Sequence, residues 1–398
     1  MFTSLPPLSL YVHIPWCVKK CPYCDFNSHE SRGHMPEQEY LAALISDFEQ
    51  DLLWASDRRI ESVFIGGGTP SLFSAETISK LLTKVVVRLA NVLNLEVTLE
   101  ANPGTVDSAK LRDFRAAGVN RLSLGVQSFN DCYLQRIGRI HSAREAIATA
   151  EAAHKAGFTN FNLDIMFALP GQSVADAVSD IDTGIGLSPS HISLYHLTIE
   201  PNTLFHHHPP ALPGEDDAWE MQARCQERLA QAGFAQYEVS AYARRGSRCR
   251  HNLNYWRFGD YLGIGAGAHG KLTIPGQGAI LRLWKLKHPA HYLLKASSPG
   301  RIGGQMRLSA ADVCLEFMMN ALRLNDGFEE PLFSERTGVS LDAVEPALRT
   351  AQASGLLDRN HGQIRASERG QRFLNDLLML FLPQDESNRK TARGARGG

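Results

Sequence analysis

The sequence predicts an α/β fold with a parallel sheet, curved or closed like a barrel. Six short apolar, β-branched runs alternate with segments of helical periodicity between residues 8 and 197. Such alternation implies strands joined by crossover helices, hence parallel pairing. At 398 residues and 43% hydrophobic content the chain buries a full core, enough for one large domain and a smaller one.

The first run, 8–14, is stopped by Pro15. Helical periodicity over 36–55 places Tyr40, Leu41, Leu44, Ile45, Phe48 and Leu52 on one face. A strand at 62–65 runs into Gly66-Gly67-Gly68-Thr69-Pro70-Ser71. Helix 75–93 follows, then strand 95–100, which ends at Glu100-Ala101-Asn102-Pro103-Gly104. Helix 108–117 precedes strand 121–126, ending at Gln127. Helix 143–156 precedes strand 160–167, with Asp164 inside it. Helix 174–185 and strand 192–197 complete the sixth unit.

The rest is less regular. The proline-rich stretch 200–214 contains His206, His207 and His208. Three adjacent histidines cannot easily all face one metal, so it reads as an exposed loop. Helix 216–232 and a further strand, 237–242, lead to a locally basic segment, 243–250. His251-Asn252-Leu253-Asn254-Tyr255-Trp256 comes next, then a glycine-spaced run to Gly270 and a linker-like stretch at 297–304. Residues 305–382 read as a winged-helix-like α+β unit: an apolar helix at 310–322, a helix–turn–helix at 332–338 and 341–354, a hairpin at 355–364 and a last helix at 373–381. The second helix of that pair shows Asp342, Glu345 and Arg349 rather than a basic face, so its role is structural and not DNA binding. The polar end, 383–398, is expected to be a disordered tail.

Composition excludes several classes. A formal net charge of −1 creates no global field for nucleic acid or an anionic membrane. Seven cysteines, three of them bunched, argue for a reducing compartment and against a disulfide framework. Cys132, Cys225, Cys249 and Cys314 are scattered and read as ordinary thiols. No apolar run approaches the roughly 20 residues of a membrane span. The N-terminus lacks the features of a signal peptide, and a cytoplasmic protein is expected.

Chemistry concentrates in Tyr11-Val12-His13-Ile14-Pro15-Trp16-Cys17-Val18-Lys19-Lys20-Cys21-Pro22-Tyr23-Cys24-Asp25-Phe26. Its C-x3-C-x2-C spacing brings three soft thiolates to one centre. A structural zinc would need a fourth ligand, for which His13 and His29 are the nearest candidates. Three ligands without an obvious fourth suit a 4Fe–4S cluster better, one iron staying open. The cysteines, the triple glycine, Glu100, Gln127 and Asp164 all fall at or near strand C-termini, where parallel barrels build their sites. A carboxylate at a strand end is equally at home as a helix cap or ion-pair partner.

These words resemble the radical S-adenosylmethionine (SAM) superfamily. HIPWC and KCPYCDFNSH are similar to its coproporphyrinogen III oxidase-like branch and, within it, to the haem-chaperone (HemW-type) subgroup. The resemblance implies a partial (β/α)6 barrel. Cys17, Cys21 and Cys24 would hold a 4Fe–4S cluster whose fourth iron is chelated by the amino and carboxylate groups of SAM. It further implies Tyr11 and Tyr23 beside the cluster, Gly67, Gly68 and Thr69 on SAM, and Glu100 and Asp164 accepting its polar groups. Gln127 and Arg139 would stand next to them. HNLNYW matches the H-N-x-x-Y-W motif of the subgroup, which makes His251 an axial haem ligand. The arginines before it (Arg244, Arg245, Arg248, Arg250) would pair with propionates, and Tyr255 and Trp256 would cover the macrocycle. From the residues alone, His251 reads more readily as a histidine bonded to a neighbouring carbonyl, and it is the resemblance that reverses this.

Two departures separate the chain from the branch's oxidases. Phe26 stands where they carry a further cysteine, and the motif begins within a few residues of Met1. The expectation is therefore a haem chaperone with a radical-SAM scaffold, serving haem-requiring membrane or respiratory proteins; the resemblance also allows peripheral membrane contact. The alternative is a radical-SAM oxidoreductase acting on a tetrapyrrole. The expected division is 1–235 for the cluster and SAM barrel, 236–304 for a connecting region with HNLNYW, and 305–382 for the winged-helix-like unit.

Overall fold

The structure, a computed structural model, describes residues 2, 4–31, 33, 35–55, 58–88 and 95–383. The expected helical residues beyond 88 and the tail from 384 lie outside the described residues.

All six expected strands form: β1 (Leu8–Ile14), β2 (Ile60–Gly67), β3 (Glu96–Ala101), β4 (Arg121–Gln127), β5 (Phe161–Phe167) and β6 (His191–His196). Each pairs in parallel with the next. Between them run α1 (Glu37–Ala55), α2 (Ala75–Arg88), α3 (Ser108–Ala116), α4 (Ala143–Lys155) and α5 (Val174–Gly186). Ser142 and Ser173 start α4 and α5 with reciprocal capping boxes to Glu145 and Asp176. Strand side chains alternate between faces. On β4, Leu122, Leu124 and Val126 are fully buried in the core shared with the helices. Arg121, Ser123, Gly125 and Gln127 turn the other way, into a cavity.

Two regions differ from expectation. The single strand at 237–242 is a hairpin, β7 (Ala235–Glu238) and β8 (Ala241–Ala243), after α6 (Glu215–Gln231). The Glu238 carboxylate turns the chain by accepting from the Ser240 N–H and hydroxyl. β8 then pairs antiparallel with β6. Past α7 (Arg250–Trp256), the region that holds the glycine-spaced run and the linker-like stretch supplies four strands: β9 (Asp260–Ile264), β10 (His269–Ile274), β11 (Ala279–Lys285) and β12 (Ile302–Arg307). β9 lies parallel to β1 on the side away from β2. The sheet order is β12-β11-β10-β9-β1-β2-β3-β4-β5-β6-β8-β7, so residues 236–304 form both edges of the barrel sheet rather than a tether beside it. Glycines at 259, 263, 265, 267 and 270 interrupt the apolar alternation that would have announced these strands. Buried Asp47 and Asp51 of α1 pair with buried Lys285 and Arg301, joining that edge to the first helix.

The C-terminal unit packs α8 (Ala310–Ala321), α9 (Glu330–Thr337) and α10 (Glu345–Ala353) on a three-stranded sheet of β13 (Phe328–Glu329), β14 (Leu357–Asn360) and β15 (Gln363–Ala366). Phe317, Phe333, Leu348 and Ile364 centre its core. Arg349 and Arg359 are both paired with Glu345, which leaves α10 without a basic face.

Candidate cluster and cofactor site

Inward-facing residues of β2 to β6 line one cavity of about 380 Å³, so the sheet wraps around it. Cys17, Cys21 and Cys24 stand at its mouth as free thiols. They lie on the loop leaving β1, which a short parallel pairing of Trp16–Cys17 with His29–Glu30 folds back on itself. Burial pushes the Cys17 and Cys24 thiols up, and their mutual charges add to this, so deprotonation awaits a cation. Among the described residues no three His, Cys, Asp or Glu side chains converge on a single-ion geometry. His13 and His29 do not complete a zinc site. Both His13 nitrogens are engaged, Nδ1 with the Tyr11 hydroxyl at 3.0 Å and Nε2 with the Asn27 carbonyl at 2.9 Å, and His29 packs against His288. The donor set fits three corners of a cluster.

The triple glycine is explained by closeness. Gly67 has φ +117°, and a Cβ there would meet the His13 ring at 2.6 Å. The N–H groups of Gly68 and Thr69 donate to the carbonyls of Ile14 and Trp16, each at 2.7 Å. The glycine loop is thereby bonded to the cysteine loop's entry. Gly67 N–H also donates to Glu100 at 3.0 Å, and Thr69 Oγ1 accepts from Asn102.

Below the loops sits a carboxylate pair. Glu100 is pushed up to about 8, by burial and then by the charge of Asp164. Burial raises Asp164 too, against hydrogen bonds from Asn162 (2.8 Å) and Ser123 (3.0 Å). Gln127 ends β4 with φ +69°, a strained conformation of the kind kept at functional positions. Arg139 donates to Asn102 at 2.7 Å, to the Gly125 carbonyl at 2.6 Å and to Cys21 Sγ at 3.7 Å. Burial raises the Tyr23 phenol beside it. Glu100, Gln127, Arg139, Asp164 and Tyr23 line the same cavity as the cysteines, while Tyr11 stands behind, bonded to His13. Asn102, Arg121, Asn162 and His191 escaped the sequence reading. The signal for them was the polar alternation inside strands that otherwise look apolar.

His251 is elsewhere. It is 1% exposed on α7, where it closes the N-terminal end of the strands. Nδ1 meets Ser62 Oγ and Nε2 meets the Tyr255 hydroxyl, each at 3.0 Å, and the ring lies over Phe64. Its partners are hydroxyls and not a carbonyl. Glu96 caps α7 by accepting the N–H groups of Arg250 and His251. Of the arginines, Arg244 covers Phe234 and Arg248 pairs with Asp326. Asn252, next in the motif, lines the same cavity as the cysteines, so motif and cluster loop face each other through the barrel. His206, His207 and His208 are exposed, and Phe205 between them and the barrel is buried near Tyr23.

This parallel sheet, with a three-cysteine loop and a glycine loop at its strand ends, defines a radical-SAM protein. The chain matches the radical SAM superfamily over residues 11–183 and the HemN C-terminal domain over 308–373. It is 48% identical to the haem chaperone HemW of Haemophilus influenzae, over 96% of this chain and 100% of that protein, and 48% identical to that of Escherichia coli with the same coverage. It is 36% identical to the mitochondrial radical S-adenosyl methionine domain-containing protein 1 of Bos taurus, over 94% of this chain and 87% of that one. Coproporphyrinogen III oxidase (HemN) from Escherichia coli shares the fold, with a TM-score of 0.79 at 22% identity over 95% of this chain and 90% of the other. The chain belongs to the HemW family of the radical SAM superfamily.

Proposed function

We propose that the protein is a haem chaperone that binds haem and passes it to haem-requiring respiratory proteins, carrying a 4Fe–4S cluster and SAM. The observation that carries this reading is the 48% identity to proteins named haem chaperone, along nearly the whole of each chain. Phe26, 58% exposed beside the cysteines, supports it over coproporphyrinogen oxidation, because the oxidases' further cysteine is missing there.

In this reading Cys17, Cys21 and Cys24 hold the cluster, which when bound supplies one electron to SAM. Gly67 and Gly68 let the backbone approach SAM, and Thr69 stands beside them. Glu100 and Asp164 accept its polar hydrogens, and its positive charge offsets the cost of ionising two buried carboxylates. Arg139 holds Asn102 and Cys21 in register, with Gln127 and Tyr23 beside it. Tyr11 acts through His13 on the cysteine loop. Residues 1–235 carry this site, 236–304 the haem motif and 305–382 the winged-helix-like unit.

Haem is cargo. Burial and neighbouring Arg121 lower His251 to about 3, so its imidazole is neutral, the form iron takes. Ligation at His251 requires Nε2 to exchange the Tyr255 hydroxyl for iron and α7 to move off the barrel floor. No described helix is long and apolar enough to cross a membrane. A cytoplasmic location, with peripheral contact at a membrane-bound recipient, completes the proposal.

The test is anaerobic reconstitution followed by haem titration and transfer to an apo respiratory haem protein. A saturable Soret shift and transfer are expected. Decarboxylation of coproporphyrinogen with no haem uptake would replace this reading with the oxidase alternative.

A further inference from the structure

Six residues below Gln127 on β4, about 20 Å at about 3.3 Å per residue, Arg121 lies in the cavity wall at 2% exposure. Its Nε has no hydrogen-bond partner, and no carboxylate among the described residues makes an ion pair with its guanidinium. Glu96 and Asp164 are near enough to attract it, but both are committed. Glu96 accepts the N–H groups of Arg250 (3.2 Å) and His251 (3.1 Å) and the Cys249 thiol (3.7 Å), capping α7. Asp164 accepts from Ser123 and Asn162. Thr98, paired with Arg121 across β3 and β4, is fully buried, and its hydroxyl is also without a partner. A desolvated cation in the wall of a polar cavity, with an orphaned hydroxyl buried beside it in the sheet, is costly unless something answers it.

We infer that the floor of the barrel cavity is a second ligand site, in which the Arg121 fork takes the carboxylate of a small organic acid. A guanidinium presents two parallel N–H donors to such a group. Where the proposed cofactor binds as in the superfamily, its own carboxylate is spent on iron at the opposite end, so SAM does not answer Arg121. While α7 is seated on the barrel floor, with His251 against Ser62 and Phe64, a haem does not reach it from below. The ligand is therefore small and enters from the cysteine side. This rests on the cluster and SAM assignment, not on haem transfer.

The test uses the full-length, cluster-loaded protein, with succinate and propionate as probes and succinamide and propionamide as their uncharged counterparts, by calorimetry. At least one acid should bind saturably and its amide should not. Arg121→Gln should weaken that binding at least tenfold, with SAM affinity unchanged. Arg121→Lys keeps the charge without the fork, so an intermediate loss is expected even if the glutamine variant folds poorly. The inference is overturned if neither acid binds, if an amide binds as well, if Arg121→Gln binds like the parent, or if that variant loses SAM instead. Failure of haem uptake in the parent protein sinks the chaperone reading and leaves this result standing.

Discussion

A Cβ added to Gly68 would stand 2.5 Å from the carbonyl oxygen of Trp16, the residue before the first cysteine. Backbone lies against backbone there, and neither side can yield without moving Cys17. Gly68→Ala is therefore expected to cut iron after reconstitution from about four per chain to less than half of that. Gly186→Ala, where a Cβ meets nothing within 4 Å, should bind iron like the parent. Iron and sulfide analysis checks the pair.

Cys17, Cys21 and Cys24 are the residues proposed to carry the cluster. Serine at any one of them should abolish the broad visible band and most of the iron. One tightly held zinc in the parent, with no iron uptake, would refute the assignment.

Glu100 sets a pH dependence. Its pKa is raised from 4.5 to about 8, so the folded cofactor-free protein holds a proton that the unfolded chain loses. Its stabilising contribution is whole below pH 4.5 and is lost as pH rises through about 8. The midpoint of urea unfolding of the cofactor-free protein should fall between pH 5 and 9, and less steeply in Glu100→Gln. SAM, being cationic, favours the ionised form, so its affinity should rise over the same window in the parent. A SAM affinity that does not change with pH in the parent would remove Glu100 from the site.

Asp164→Ala should weaken SAM binding at least tenfold, since charge-assisted hydrogen bonds contribute roughly 1.5–3 kcal/mol each. Equilibrium binding on folded, iron-loaded protein measures it. An unchanged affinity would leave Asp164 as an organiser of Asn162 and Ser123 alone.

His251→Ala should lose the Soret shift on haem addition while keeping cluster and SAM. Tyr255→Phe removes the hydroxyl that competes for Nε2. A hydrogen bond of about 0.5–1.5 kcal/mol net is released, so haem should bind about two- to tenfold tighter. If His251→Ala binds haem like the parent, the ligand lies elsewhere, with the exposed His206 to His208 next to examine.

Much of this molecule is local and so was legible in the chain. The cysteine spacing, the six β/α units and the winged-helix-like end depend on periodicity and punctuation within short windows. The carboxylates at the strand ends could be named because a parallel sheet puts every strand's C-terminus on one side. What the sequence could not contain is which segments meet after closure. The parallel pairing of β9 with β1 carries α7 beneath the barrel, where His251 is a buried plug bonded to Ser62. It also brings Glu96 to cap that helix, which leaves Arg121 near that carboxylate but without an ion pair among the described residues. Those relationships join residues more than a hundred positions apart, and their energies are those of desolvated charges, which exist only once water has been excluded.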